Sequence, residues 1–166
     1  MRATALALLL LLATGCGLEN SLGGSVSSLF PLTVARVDVL RNDEAIQISY
    51  FNNNGADIDL VARVTVALTG VELVPGARIP LEGEYDVGHP RTTVGHQRAG
   101  EPERLMAPVQ RGLLILDSGG NPDERTRGSF NMLFQTGDQY AAGRDLTGTF
   151  SAVAKDAGFD PIIPVP

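Results

Sequence analysis

The chain carries a single cysteine, Cys16, and two histidines, His89 and His96. One thiol cannot close a disulfide within the chain, build a thiolate zinc site or form a redox pair. As metal ligands the histidines would need a third donor such as Asp86, Glu101 or Glu103, and their seven-residue separation matches no compact zinc signature. In one strand that odd separation turns them to opposite faces, so both are read as solvated loop residues. Arg91, Arg98, Arg104 and Arg111 come from the same region, interleaved with Glu101 and Glu103. Guanidinium forks pair bidentately with phosphate and carboxylate, which makes these four a candidate anion clamp, weighed against an ordinary solvated surface. Asp117, Asn121, Asp123 and Glu124 gather oxygen donors in one glycine-containing loop, as a Ca²⁺ site requires. Gly119 and Pro122 break the EF-hand spacing, however, and turn formation accounts for the same residues.

Motifs of other chemistries are missing from the sequence. Gly24-Ser25-Val26 lacks the closing glycine of a nucleophile elbow. No His-Glu-x-x-His pair, phosphate-cradling glycine loop with lysine, or dinucleotide fingerprint occurs.

The setting of Cys16 is more specific. A cationic head with Arg2 precedes an apolar stretch from Ala3 to Ala13, which ends in the small residues Thr14 and Gly15. These are the parts of an export signal. At about 11 residues the stretch is well short of the roughly 20 needed to span a bilayer as a helix. The run Leu12-Ala13-Thr14-Gly15-Cys16 resembles the lipobox of bacterial lipoproteins, with Ala13 in place of the usual leucine. That resemblance implies that the Cys16 thiol receives a diacylglycerol, that residues 1–15 are removed and that the new amine is acylated. It also implies a membrane partner through the lipid anchor, and Gly17 favours the outer membrane over the inner one. Two or more acyl chains give stable anchoring, where a single chain binds only marginally.

About 150 residues follow the cleavage point, enough for one domain that buries a core without disulfides. The precursor's net charge is −6, and loss of Arg2 makes the mature chain one unit more negative. An acidic domain has no reason to bind nucleic acid and is repelled by anionic headgroups, so it is expected to stand off the bilayer. Absence of tryptophan weighs against a sugar-binding platform.

The remaining chain must supply the scaffold. Gly17 to Ser28 is small, polar and rich in Gly and Ser, which reads as a flexible tether of about 18–20 Å. From Leu32 onward apolar residues alternate with polar ones: Ile46, Ile48 and Tyr50, then Leu60, Ala62, Val64 and Val66. Period two marks half-buried strands. Turns are expected at Arg41 to Glu44, at Asn54-Gly55, whose dihedral preferences suit a hairpin, and at Pro75-Gly76, which suits type II. A strand is expected near Ala77 to Leu81, another near Arg91 to Gln97, and a loop from Arg98 to Gln110. Gly128-Ser129-Phe130 and Gly148-Thr149-Phe150 echo one another, which predicts adjacent antiparallel strands with a bulge or close approach at each glycine. The tail Phe159 to Pro166 alternates apolar residues with proline, which lacks the ladder donor, so it is not a central strand.

The expected organisation is therefore a signal peptide over 1–15, a lipidated Cys16 with its tether over 16–28, and one all-β domain over 29–166. About eight antiparallel strands are predicted to form a β-sandwich, with a β-barrel as the alternative. The leading functional expectation is a non-catalytic structural or protein-binding module that needs no cofactor and has envelope proteins as possible partners. A carrier of lipid or another apolar ligand is the second, and a cell-envelope hydrolase the third.

Overall fold

The computed structural model describes residues 19–54 and 57–157. Cys16, the Gly55 of the Asn-Gly pair and the tail from Phe159 lie outside the described residues. The protein is all-β. Its strands in chain order are β1 (Ser21–Gly23), β2 (Arg36–Arg41), β3 (Ala45–Asn54), β4 (Asp57–Ala67), β5 (Arg78–Pro80), β6 (Glu84–Asp86), β7 (His89–Pro90), β8 (Thr92–Gln97), β9 (Arg104–Leu105), β10 (Val109–Ser118), β11 (Arg125–Phe134) and β12 (Asp145–Asp156). One sheet runs β5-β10-β11-β12-β2-β3-β4-β8-β9, with β1 added to the edge of β12, and β6 and β7 form a separate hairpin.

The long sheet curls into a half-barrel. Its two layers are the halves of this one sheet, joined where the last three residues of β12 pair with β2. That pair is parallel, unlike the remaining pairings, which are antiparallel. Hairpins force neighbouring strands to run in opposite directions. β2 and β12 are separated by most of the chain, so no turn constrains their mutual direction.

The core lies between the halves. Tyr50 on β3 donates its hydroxyl to the Thr149 carbonyl on β12 at 3.0 Å, and its ring meets Phe130 of β11 edge-on at 6.1 Å. Burial raises the Tyr50 hydroxyl far above its usual value and so keeps it a neutral donor. The echoed segments pair as expected, Gly128 opposite Phe150 and Phe130 opposite Gly148, with no shift of register. Each phenylalanine ring lies over the partner strand's glycine: a Cβ on Gly148 would meet Phe130 at 2.5 Å, and one on Gly128 would meet Phe150 at 2.6 Å. The glycines serve close approach rather than a bulge.

Local turn chemistry matches the sequence. The Asn42 side-chain oxygen accepts from the amides of Glu44 and Ala45 at 3.0 and 2.8 Å and closes the β2–β3 hairpin. Gly76 takes a φ of 87°, and the Ala77 amide reaches the Val74 carbonyl at 2.9 Å, as a type II turn requires. Pairing of Asn54 with Asp57 carries the β3–β4 ladder to its last described residues.

Three stretches differ from expectation. The loop over 98–110 contains β9 and the start of β10, and the irregular stretch before β8 contains the β6–β7 hairpin. The larger difference is at the N-terminus, where residues 21–28 belong to the domain instead of a tether. β1 pairs with Thr147 to Thr149, and a 3-10 turn over Ser25–Ser28 buries Val26 completely. Small residues, read as signs of flexibility, are what this close approach needs. Gly24 has a φ of 120°, and a Cβ there would lie 2.4 Å from the Asp145 carbonyl oxygen.

Candidate functional site

The docked N-terminal arm, residues 19–28, is tied to β12 by side-chain hydrogen bonds. Ser21 and Thr149 share a hydroxyl hydrogen bond at 2.9 Å, and Asn20 accepts from the Ser151 amide at 2.7 Å. Ser25 donates its hydroxyl to the Asp145 carboxylate at 2.5 Å and accepts from the Asp145 amide at 2.9 Å. The Ser25 hydrogen bond holds the Asp145 carboxyl below its ordinary range, against the opposing effect of burial. Glu19 pairs with Arg127 of β11 at 3.1 Å.

Beyond the arm, Phe30 enters the core and stacks on His96 with ring centroids 3.8 Å apart and planes 13° from parallel. Tyr140 flanks both rings at 6.4 and 6.3 Å. His96 is buried on β8, and its Nδ1 donates to the Val61 carbonyl at 3.0 Å. The reading of His96 as a solvated loop residue is thus corrected. Period two across Thr92 to Gln97 could have signalled an inward residue at 96, but the aromatic partners come from far along the chain. His89 sits apart on β7, its ring 5.8 Å from Tyr85. The two histidines belong to different strands.

The four arginines do not converge. Arg91 donates to the carbonyls of Ala67 and Thr69, both at 3.3 Å. At the far end of β8, roughly 20 Å away at about 3.3 Å per residue, Arg98 and Arg104 lie beside Tyr140. Burial raises the Tyr140 hydroxyl above its usual value, and the charges of Arg104 and Arg98 offset part of that rise. Arg104 also pairs with Glu101 at 3.6 Å. Arg111 is on β10 in the other half of the sheet.

The acidic loop is likewise organised by the protein itself. Arg41 donates to the Gly120 carbonyl and, at 3.2 Å, to the Asn121 side chain, so a guanidinium supplies the positive charge there. Glu124 accepts from the Asn121 amide and side chain at 3.4 and 3.2 Å. Among the described residues no group of three or more His, Cys, Asp and Glu side chains is arranged to hold a metal ion, and Asp117, Asn121, Asp123 and Glu124 form no such centre.

A groove of about 300 Å³ opens at the seam where β12 meets β2 and β3. Asp38, Gln47, Ser49, Arg63 and Lys155 line it together with Phe51 and neighbouring aliphatic residues. Register puts Asp38, Ser49 and Arg63 on one face, opposite to the buried Val39, Ile48 and Val64, so the groove is on the outside of the sheet. No protein family, curated protein or solved structure matches the chain.

Proposed function

We propose that this protein is a bacterial lipoprotein, anchored in the cell envelope through Cys16, whose β-domain acts as a non-catalytic structural or protein-binding module. The sequence Leu12-Ala13-Thr14-Gly15-Cys16 behind an apolar run carries this reading. Support for a non-catalytic role comes from how the polar side chains are used: His96 holds the Val61 carbonyl, Asp145 holds Ser25, and Arg41 holds the loop at Gly120. Their hydrogen-bonding capacity serves the fold.

The carrier reading is less well supported, because a lipid carrier needs an enclosed apolar cavity and the seam groove is open and lined by charged groups. The test is the intact mass of the mature protein together with fractionation of Cys16→Ser. Acylation at residue 16 and release of the variant from membranes are expected. A mature chain starting elsewhere, or a variant that stays with the membrane, would refute the proposal.

A further inference from the structure

The seam groove exists because the two halves of the sheet part there. β3 pairs with β2 along all of Arg36–Arg41, whereas β12 pairs with it only from Val39 to Arg41. Before that point the same edge of β12 is taken by the N-terminal arm, with Thr147 to Thr149 on β1 and the Ser151 amide on Asn20. The space left at the parting is about 300 Å³, at the small end of the range of about 300–1,000 Å³ usual for ligand sites.

Register lays out the polar lining. Asp38, Ser49 and Arg63 are successive cross-strand partners on β2, β3 and β4, with neighbouring Cβ atoms about 5 Å apart. Ser49 is the low point of this row. It is only 4% exposed, it lines the groove, and its hydroxyl has no hydrogen-bond partner among the described residues. Buried hydroxyls ordinarily have one, as Thr65 on the same face does from Gln47 at 3.1 Å. Opposite charges stand on either side of Ser49. Asp38 is held by Arg36 at 3.4 Å and Arg63 by Glu103 at 2.6 Å, and the two do not bridge one another. Gly95, next in the row after Arg63, gives Glu103 its place, since a Cβ there would run into the carboxylate. Glu103 takes only the Nη1 of Arg63, so Nη2 is not engaged by any described residue. Two positions beyond Ser49 on β3, Phe51 is half-buried, with the Arg36 guanidinium 4.4 Å from its ring centre. Val153 and Lys155 form the rim on β12.

We infer that the seam groove binds a free α-amino acid with an apolar side chain. The ligand's carboxylate is received by Arg63 and the Ser49 hydroxyl, its ammonium by Asp38, and its side chain lies along Phe51. A simple anion would be repelled by Asp38 and a simple cation by Arg63, whereas a zwitterion meets an opposite charge at each end. Two steps of about 5 Å separate these walls at the Cβ level. Hydrogen bonds of about 2.8 Å at each end leave roughly 4 Å between the ligand's own charges. That is the span of an ammonium and a carboxylate on one carbon, and it is too short for the two ends of a peptide. The polar lining that argues against a lipid therefore suits this ligand. The inference goes beyond the anchored-module reading and does not depend on the lipid anchor.

The test titrates the purified protein, carrying Cys16→Ser so that no acyl chain is present, with L-leucine, N-acetyl-L-leucine, L-leucinamide and inorganic phosphate. Backbone amide shifts are followed by NMR. Saturable shifts at Asp38, Ser49 and Arg63 are expected with leucine. N-acetyl-leucine lacks the ammonium and leucinamide the carboxylate, so each should bind about tenfold more weakly, the loss of one charge-assisted hydrogen bond. D38N and R63Q should each weaken leucine binding about tenfold, and S49A about threefold. S49A keeps both ion pairs intact, so its loss of affinity is separable from a loss of folding, and R104Q outside the groove should bind as the parent does. No saturation by about 10 mM leucine, or saturable shifts confined to other parts of the domain, would overturn the inference. So would equal affinity for N-acetyl-leucine or phosphate, which would make the groove a general anion site, or parental affinity in D38N and S49A. An unmodified Cys16 in the native protein would refute the anchor and leave this titration standing by itself.

Discussion

Replacing Gly128 with alanine tests the packing at the centre of the β11–β12 ladder. The added methyl would lie 2.4 Å from the Ile115 carbonyl oxygen and 2.6 Å from the Phe150 ring. The first neighbour is backbone of the adjoining strand β10, held by pairing on both sides of Ile115, so it cannot move aside cheaply. Overpacking of this kind costs about 1–3 kcal/mol, and the upper end applies where backbone must shift. Against it stands a gain of about 0.5–1 kcal/mol from replacing glycine in a strand. The expected net loss for Gly128→Ala is about 2 kcal/mol, or a melting midpoint lower by about 4–8 °C. Gly148→Ala is the internal control. Its nearest neighbours are side-chain atoms, Phe130 at 2.5 Å and Leu22 at 3.0 Å, which can give by small rotations. Its low-end overpacking cost of about 1 kcal/mol is nearly offset, so stability should stay within about 1 kcal/mol of the parent. Urea denaturation of both variants measures the difference. A Gly148→Ala loss equal to or larger than that of Gly128→Ala would refute the distinction between backbone and side-chain neighbours.

Phe30→Ala should cost about 3–5 kcal/mol in the same assay, because Phe30 is only 3% exposed and stacks on His96. A change within about 0.5 kcal/mol, typical of a surface site, would place Phe30 outside the core. The Asp145 clamp makes a pH-dependent contribution. A carboxyl held below its ordinary value stabilises the docked arm above the unfolded pKa of about 3.9, and that contribution disappears as pH falls through the lower folded value. The protection of the Ser25–Ser28 amides relative to their intrinsic exchange rate should therefore fall selectively in acid, and Asp145→Asn should show the lower protection already at neutral pH. Protection that does not change with pH in the parent would remove the clamp.

The outcome for individual residues shows which features are local. Alternation over Ile46 to Tyr50 and Leu60 to Val66 is a property of consecutive residues, and it marked the strands because a half-buried strand imposes period two on its own sequence. Asn42 and Pro75-Gly76 were legible as turns for a similar reason, since their dihedral and hydrogen-bonding preferences act within four residues. The Gly-x-Phe echo predicted adjacent strands, because each glycine leaves room for a ring on the neighbouring strand. Composition misled at residues 21–28. Gly and Ser give a free chain its flexibility, yet the same small side chains allow β1 and the turn after it to lie against β12.

Sequence by itself determined that this protein is all-β, where many of its strands and turns fall, and that its only thiol ends a signal-like apolar run. Only the tertiary structure decided that β12 joins the two halves through a parallel pair, that Phe30 reaches His96 and Tyr140, and that residues 21–28 lie against β12. These are contacts between residues up to about a hundred positions apart. Their geometry depends on how the whole sheet curls, and no window of consecutive residues carries that information.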